Sequence, residues 1–254
     1  MDRKLKVSII TPAHNEEEVI EHCILSVKNL LLPNSETNVK HIVVADRCTD
    51  QTVDICRDAN VKVLIKEFLG NVLDPVTEAV DFGVNNSSGE IIGKLDADII
   101  LPKNWLVEMI KYLDNGIVCV SCRIKTRTGK WWLDLLMWLR DINYRITPLG
   151  EEPRGAARLI NRKFLAETGG FEYQWASWDT GLDQKIRMMN YKSLLIKNIT
   201  ALEYRPSLTI RRIIRKQIKQ GKARKRMRVS LLRTLAHSLF RIRPFVIWGY
   251  LIGK

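Results

Sequence analysis

A chain of 254 residues, 46% of them apolar, is long enough to bury a substantial core, which excludes a wholly disordered protein. Its formal charge of +13 is unevenly placed: residues 204–254 hold 15 of the 41 Lys/Arg and none of the 28 Asp/Glu, leaving 26 basic against 28 acidic side chains in residues 1–203. A near-neutral body with a basic end points to an anionic partner, lipid headgroups or nucleic acid.

The N-terminal sequence MDRKLKVSII has no apolar leader, so export is not expected. The run Lys6–Ile10 reads as a first strand. Apolar residues from Val19 to Leu31 then recur at three- and four-residue spacing, which predicts a helix with one buried face. Strands are predicted next at Lys40–Ala45, Val61–Lys66, Ile91–Leu95 and Ile117–Ile124, alternating with helices at Asp50–Ala59, Pro75–Asn86 and Pro102–Leu113. That alternation is the pattern of a parallel sheet with helices on its faces.

Beyond Thr126 the alternation weakens. An aromatic amphipathic segment, Trp131–Tyr144, is followed by the Gly/Pro-rich TPLGEEPRG (147–155), a short strand at Ala157–Asn161, a turn at Gly169-Gly170 and a helix at Asp179–Met189. From Thr209 two basic amphipathic helices are predicted, split near Gly221. The longest apolar runs, WWLDLLMWL (131–139) and PFVIWGYLI (244–252), fall short of the roughly 20 residues that cross a bilayer. Membrane contact is therefore expected to be peripheral. The five cysteines are odd in number and read as reduced thiols, and Cys119 and Cys122, a CxxC inside a strand-like run without a second pair, read as core.

Polar clusters follow three of the strands: Thr11–Glu16, Asp46–Asp50 and Asp96–Asp98. In an open parallel sheet the carboxyl ends of the strands face one crevice, where the three clusters would meet. The most informative is KLDADII (94–100). Two carboxylates one residue apart point the same way and can share a hard cation; otherwise they are two solvated residues of a turn.

The ordered set SIITPAHNEE, HIVVADRCTDQTVDI, SSGEIIGKLDADIILPKNWL, LAETGGF and WDTGLDQKIRMMNYK resembles the inverting glycosyltransferases of family two, over roughly residues 5–200. The resemblance implies a GT-A fold: α/β, with a Rossmann-like, mostly parallel sheet and flanking helices. It implies a catalytic domain at 1–204, with a nucleotide-binding half at 1–125 and an acceptor half at 126–204. Residues 205–254 would follow as basic amphipathic helices on a membrane surface.

The implied donor is a nucleotide-diphosphate sugar, GDP- or UDP-linked, and the implied cofactor is Mn²⁺ or Mg²⁺. Asp98 would be the principal metal ligand, with Asp96 at the metal or the ribose. Pro12, His14, Asn15 and Glu16 match the loop that lines the nucleotide, and Asp46 matches an acid that contacts base and ribose. Ala45 stands where the family commonly has a second acid. Asp179 matches the base that deprotonates the acceptor, but Trp178 and Gly181 replace neighbouring acids of the pattern. Asp183 is the other candidate, and an anionic lipid-phosphate acceptor would need no base.

Gln217, Lys222 and Arg224 loosely match a segment that closes over the diphosphate. Trp131, Trp132 and Trp138 suit either a core helix or an interfacial one beside the acceptor. The expected reaction is hexose transfer to a lipid-linked or polyprenyl-phosphate acceptor on the cytoplasmic side of a membrane. A nucleotidyltransferase is the alternative enzyme, but TPAHNEEE lacks its glycine-rich loop. A nucleic-acid partner is not expected, since the basic tail is Ile/Leu-rich with amphipathic spacing.

Overall fold

The protein is described by a computed structural model covering residues 4–70, 74–114, 116–146, 155–171 and 178–253. Most of the Gly/Pro-rich stretch 147–155 lies outside the described residues. The chain divides into two compact units, one of residues 1–124 with 153–204 and one of residues 125–152 with 205–254. Residues 125–152, placed with the sheet in the sequence reading, thus group with the basic tail.

The first unit is built on a sheet whose strands are β1 (Lys6–Ala13), β2 (Asn38–Asp46), β3 (Lys62–Lys66), β4 (Ile91–Leu95), β5 (Ile99–Ile100), β6 (Ile117–Arg127), β7 (Ala157–Asn161) and β8 (Lys192–Tyr204), in the order β3-β2-β1-β4-β7-β6-β8-β5. The first four in that order are parallel; β7 pairs antiparallel with both β4 and β6, and β5 pairs antiparallel with β8. Within β1 and β4 consecutive apolar residues face opposite ways, as the pleat requires. Val7, Ile9 and Ile91 pack with Cys23 and Val27 of α1 (Ile20–Lys28) and with Trp105 and Met109 of α4 (Trp105–Ile110). Ile10 and Ile92 pack on the other face with Ala79 and Val80 of α3 (Pro75–Asn85), Phe164 of α6 (Arg162–Glu167) and Leu182 of α7 (Trp178–Met188). Helix α2 (Thr52–Asp58) carries Cys56 into a smaller cluster with Ala13, Ile24 and Ala97.

Ile91–Leu95 and Ala157–Asn161 form strands with the expected bounds, and Cys119 and Cys122 are buried on β6. The turn at Gly169 and Gly170 closes α6 with both residues in the left-handed region, φ 71° and 86°. Three elements of this unit have no counterpart in the sequence reading: β5, α6 and the long β8. The fourth helix is also shorter than expected: Pro102 lies in the turn before it, accepting a hydrogen bond from Trp105 N at 2.9 Å.

The second unit contains α5 (Trp131–Ile146), α8 (Ile210–Arg226), α9 (Leu231–Phe240) and α10 (Pro244–Ile252). Asp134, in the first turn of α5, reaches back to accept from Thr128 N and Oγ1 at 2.6 and 2.9 Å and so ties the helix to the chain before it. Thr209 and Ser230 cap α8 and α9. The expected break at Gly221 does not occur: α8 runs straight through it. A Cβ there would lie 2.1 Å from Val246 O, and one at Gly249 would lie 2.2 Å from Ile218 O. Both glycines exist so that the backbones of α8 and α10 can touch, a contact role that looks identical to a helix break in the sequence. The true break comes at Arg228, φ 53°, between α8 and α9.

Candidate active site

Strands β1, β2 and β4 are parallel neighbours, so their carboxyl ends share one rim of the sheet. The loops after β1 and β2 are knitted together there. His14 Nδ1 lies 2.7 Å from Asp46 O, Asn15 Oδ1 accepts from Thr49 N at 2.8 Å, and Glu16 N donates to Thr52 Oγ1 at 2.8 Å. Asn15 and Arg47 hold left-handed backbone, φ 56° and 52°, a conformation non-glycine residues keep only where their surroundings over-determine it. Pro12 is half-buried beside them.

Asp46 is buried at the end of β2 in a set of charges. Arg47 donates to it through Nε and Nη2 at 2.9 and 2.8 Å, and the fully buried Lys66 donates at 3.0 Å. Lys66 also contacts Glu78 Oε2 at 2.6 Å. Burial alone would raise the Asp46 carboxyl; the hydrogen bonds and charges of Arg47 and Lys66 override it and hold the group below its ordinary value.

Asp96 and Asp98 sit just past β4, both half-buried, on either side of the buried Ala97, which packs with Ala13 of β1. Their backbone is fixed from both sides: Asp96 N donates to Ala156 O at 2.8 Å, and Tyr204 N donates to Asp98 O at 2.8 Å. Asp96 forms an ion pair with Lys94, which is 1% exposed and also donates to Gly155 O at 3.2 Å. Gly155 in turn abuts Asp179, for a Cβ at Gly155 would lie 2.7 Å from Asp179 Oδ2 and 3.0 Å from Trp178 Cζ2. Two cations approach the Trp178 ring, Lys94 Nζ at 4.9 Å and Arg158 Cζ at 5.5 Å from its centroid. The rim therefore brings together Pro12, His14, Asn15, Glu16 and Asp46, and one chain of contacts joins Asp96 to Asp179.

Gln217, Lys222 and Arg224 belong to the second unit. Gln217 Oε1 accepts from Phe245 N at 3.2 Å and Arg224 Nε donates to Thr234 Oγ1 at 3.2 Å, so both help to pack α8 on α10 and α9, while Lys222 is exposed. Asp183, the other acid of α7, is held by Arg158.

The family model described as glycosyl transferase family 2 matches residues 8–169, more than half of the chain. The chain belongs to glycosyl transferase family 2. Among curated relatives, this family 2 enzyme is 27% identical over 179 residues to the uncharacterized glycosyltransferase YkcC of Bacillus subtilis, covering 66% of this chain and 53% of the relative. It is 28% identical over 112 residues to the dolichol-phosphate mannosyltransferase of Pyrococcus furiosus, covering 44% of this chain and 31% of the relative. The chain thus spans about half or less of the length of these relatives. Among solved structures, the mannosyltransferase PcManGT from Pyrobaculum calidifontis, in complex with GDP-Man and Mn²⁺, superposes with a TM-score of 0.67 over 99% of this chain and 71% of its own, at 20% identity. That likeness establishes the GT-A fold.

For this glycosyltransferase, sequence reasoning missed Lys94, Arg158, Lys66 and Glu78, whose buried charges position the acids. Lysine and glutamate inside otherwise apolar runs were the available signal, since such residues are buried only when paired. It also missed Tyr204, which lies on the unanticipated β8.

The donor set is compatible with a divalent cation. Two hard oxygen donors flank Ala97, and their backbone is held on both sides. Such a cation would take its remaining ligands from a diphosphate and water.

Proposed function

We propose that this family 2 glycosyltransferase moves a hexose, with inversion, from a GDP- or UDP-linked donor to a lipid-linked or polyprenyl-phosphate acceptor at a membrane surface. The observation that carries the reading is the placement of Asp96 and Asp98 beyond β4, on the same rim as Pro12 and Asp46 at the ends of β1 and β2 and the His14–Glu16 loop that is tied to β2. In this reading Pro12, His14, Asn15 and Glu16 line the nucleotide, Asp46 meets its base or ribose, and Asp98 holds Mn²⁺ or Mg²⁺. The cation, when bound, offsets the charge that accumulates on the departing diphosphate.

The acceptor oxygen attacks the anomeric carbon from the face opposite the leaving group. Its new bond to carbon forms as the bond from carbon to the diphosphate oxygen breaks. With a hydroxyl acceptor the proton passes to Asp179. A phosphate acceptor arrives as an anion and needs no proton removed.

Support for a membrane-surface location comes from the second unit. Residues 204–254 are basic without a single acid, and large apolar side chains stand out on its helices, among them Trp131 at 79% exposure and Leu232 at 77%. Among the described residues no helix is long and apolar enough to cross a membrane. The five cysteines, all thiols, suit the cytoplasmic face. The Pyrococcus furiosus relative, named for a dolichol-phosphate reaction, supports the acceptor class.

A thermal-shift and hydrolysis screen of GDP- and UDP-sugars, with and without Mn²⁺, tests the donor half. Metal-dependent stabilisation by one sugar nucleotide is expected; no response to any of them would refute the reading. Co-sedimentation with vesicles tests the surface half, with salt-sensitive binding expected to phosphatidylglycerol but not to phosphatidylcholine.

A further inference from the structure

At the opposite end of the sheet from the Asp46 and Asp96 rim, the first residues of β1 and β2 and the segment just before β4 enclose a cleft of about 170 Å³. Lys4, Lys6, Lys40, Ser8, Ser88 and Gly89 stand in its walls. The pleat explains how the lysines come together. Ile10 and Ile42 are buried with Ala79, Val80 and Val84 of α3; two residues nearer the amino ends, on the same face, Ser8 is opposite Lys40, and two further on Lys6 is opposite Asn38. Lys6 and Lys40 are exposed, so the face that is apolar under α3 turns cationic at its edge.

The remaining wall is firmly built. Ser8, 1% exposed, accepts from Gly89 N at 2.9 Å, and a Cβ at Gly89 would lie 2.4 Å from Ser8 N, so the loop before β4 seats directly on β1. Behind that loop the half-buried Arg162 donates to Gly89 O, Ser87 Oγ and Val84 O, all of them neutral. Among the described residues no carboxylate pairs with Arg162, Lys4, Lys6 or Lys40, and none lines the cleft. Like charges gathered on neighbouring strands repel, a cost that a bound anion would offset.

We propose that this cleft is a second ligand site, which takes a phosphate group, either inorganic phosphate or the phosphomonoester headgroup of a lipid. A phosphomonoester brings about −1.5 to −2 charges at pH 7 and three strong acceptor oxygens, enough to engage several ammonium groups at once, whereas a carboxylate brings one charge and two oxygens. The cleft is smaller than the roughly 300–1,000 Å³ of a pocket that encloses a whole small molecule, which suits a phosphate group and not a sugar nucleotide. Ser8 also precedes Ala13, the last residue of β1, by five positions, about 17 Å along an extended strand, too far for the diphosphate of a donor seated at the rim.

The test is a titration of the ¹⁵N-labelled full chain with inorganic phosphate, read from the backbone amide resonances of Ser88 and Gly89. Saturable shifts of both are expected, and they should persist with Mg²⁺ and GDP or UDP present in separate runs. The double variant Lys6→Gln/Lys40→Gln, at exposed positions, is expected to keep the wild-type thermal midpoint and to bind phosphate about tenfold or more weakly, as the loss of two charge-assisted hydrogen bonds implies. Co-sedimentation with phosphatidylcholine vesicles containing phosphatidic acid separates the two sources. A several-fold loss in the double variant assigns the site to a lipid headgroup, and unchanged co-sedimentation beside weakened phosphate binding assigns it to a soluble phosphate. The proposal is overturned if the Ser88 and Gly89 shifts fail to saturate, if nucleotide abolishes them, or if the double variant binds phosphate as wild type does. None of these results bears on the sugar-nucleotide reading of the opposite rim, which the donor screen tests separately.

Discussion

Arg158 on β7 grips Asp183 on α7 through both terminal nitrogens, at 2.7 and 3.0 Å, from a fully buried position. This pair fixes the helix whose first turn carries Asp179, one turn before Asp183. The two acids of α7 are therefore given different work: Asp183 anchors the helix to the sheet, and Asp179 meets the Gly155 backbone. Lys94 and Arg158 both approach the Trp178 ring at the start of α7, and Asp74 at the start of α3 accepts from Trp178 N at 3.3 Å.

Substitution at the two acids should separate these roles. Asp179→Asn is expected to slow transfer to a hydroxyl acceptor by about 10²-fold or more, as loss of a general base does, with an unchanged thermal midpoint. On a phosphate acceptor the same variant should retain its rate. Asp183→Asn is expected to remove the carboxylate that both terminal nitrogens of the buried Arg158 hold, and to cost about 3 kcal/mol of stability. Paired kcat and urea-unfolding measurements distinguish them, and a stable, inactive Asp183→Asn beside an active Asp179→Asn would reverse the assignment.

Gly155→Ala should act on Asp179 without touching it chemically. The added methyl would lie 2.7 Å from Asp179 Oδ2 and 3.1 Å from its Cβ, so the carboxylate must shift. A displacement approaching 1 Å in a reacting group costs on the order of 10²-fold in rate. We expect kcat to fall on a hydroxyl acceptor while KM for the donor is retained; an unaltered kcat would show that Asp179 is not held there during turnover.

In the second unit Gly221→Ala tests the close crossing of α8 and α10. Its methyl would lie 2.1 Å from Val246 O and 2.6 Å from Tyr250 N, both backbone atoms that cannot yield without moving α10. A loss of about 2 kcal/mol or more is expected, as for other overpacked contacts, visible as faster hydrogen exchange across α8 and α10. Unchanged protection of both helices would contradict the packing described.

The same unit should weaken in mild acid. Burial, with Arg224, Arg243 and Arg241 nearby, pushes His237 down from 6.5 to about 4, so the folded unit holds it neutral. A group depressed on folding contributes stability that is complete above its unfolded value. That contribution is lost as pH falls from about 6.5 towards about 4. The protection of α9 amides, corrected for the intrinsic pH dependence of hydrogen exchange, is therefore expected to fall between pH 7 and pH 5, and His237→Leu to flatten the dependence. A pH-insensitive wild type would sink the argument.

How far the sequence reached can be read from individual residues. Ile91–Leu95 and Ala157–Asn161 were legible as strands because an apolar run bounded by polar residues dictates its own local conformation. The placement of Asp96 and Asp98 beyond β4 followed from the same punctuation, whereas β2 runs one residue past its expected end and includes Asp46. β8 was not legible, since KSLLIKNITALEY interleaves polar and apolar residues without a clean period, and it becomes a strand only against β5 and its other neighbour in the sheet.

By itself, then, the sequence determined the alternation of strands and helices, the family, and the concentration of positive charge in residues 204–254. Tertiary structure alone decided that Lys94 pairs with Asp96, that Arg158 claims Asp183, and that Gly221 is a contact between helices. The reason is physical: hydrophobic period and capping act between residues a few positions apart, whereas a buried charge finds its partner through strand order. A glycine, too, carries the same local freedom whether the helix ends there or another helix rests upon it.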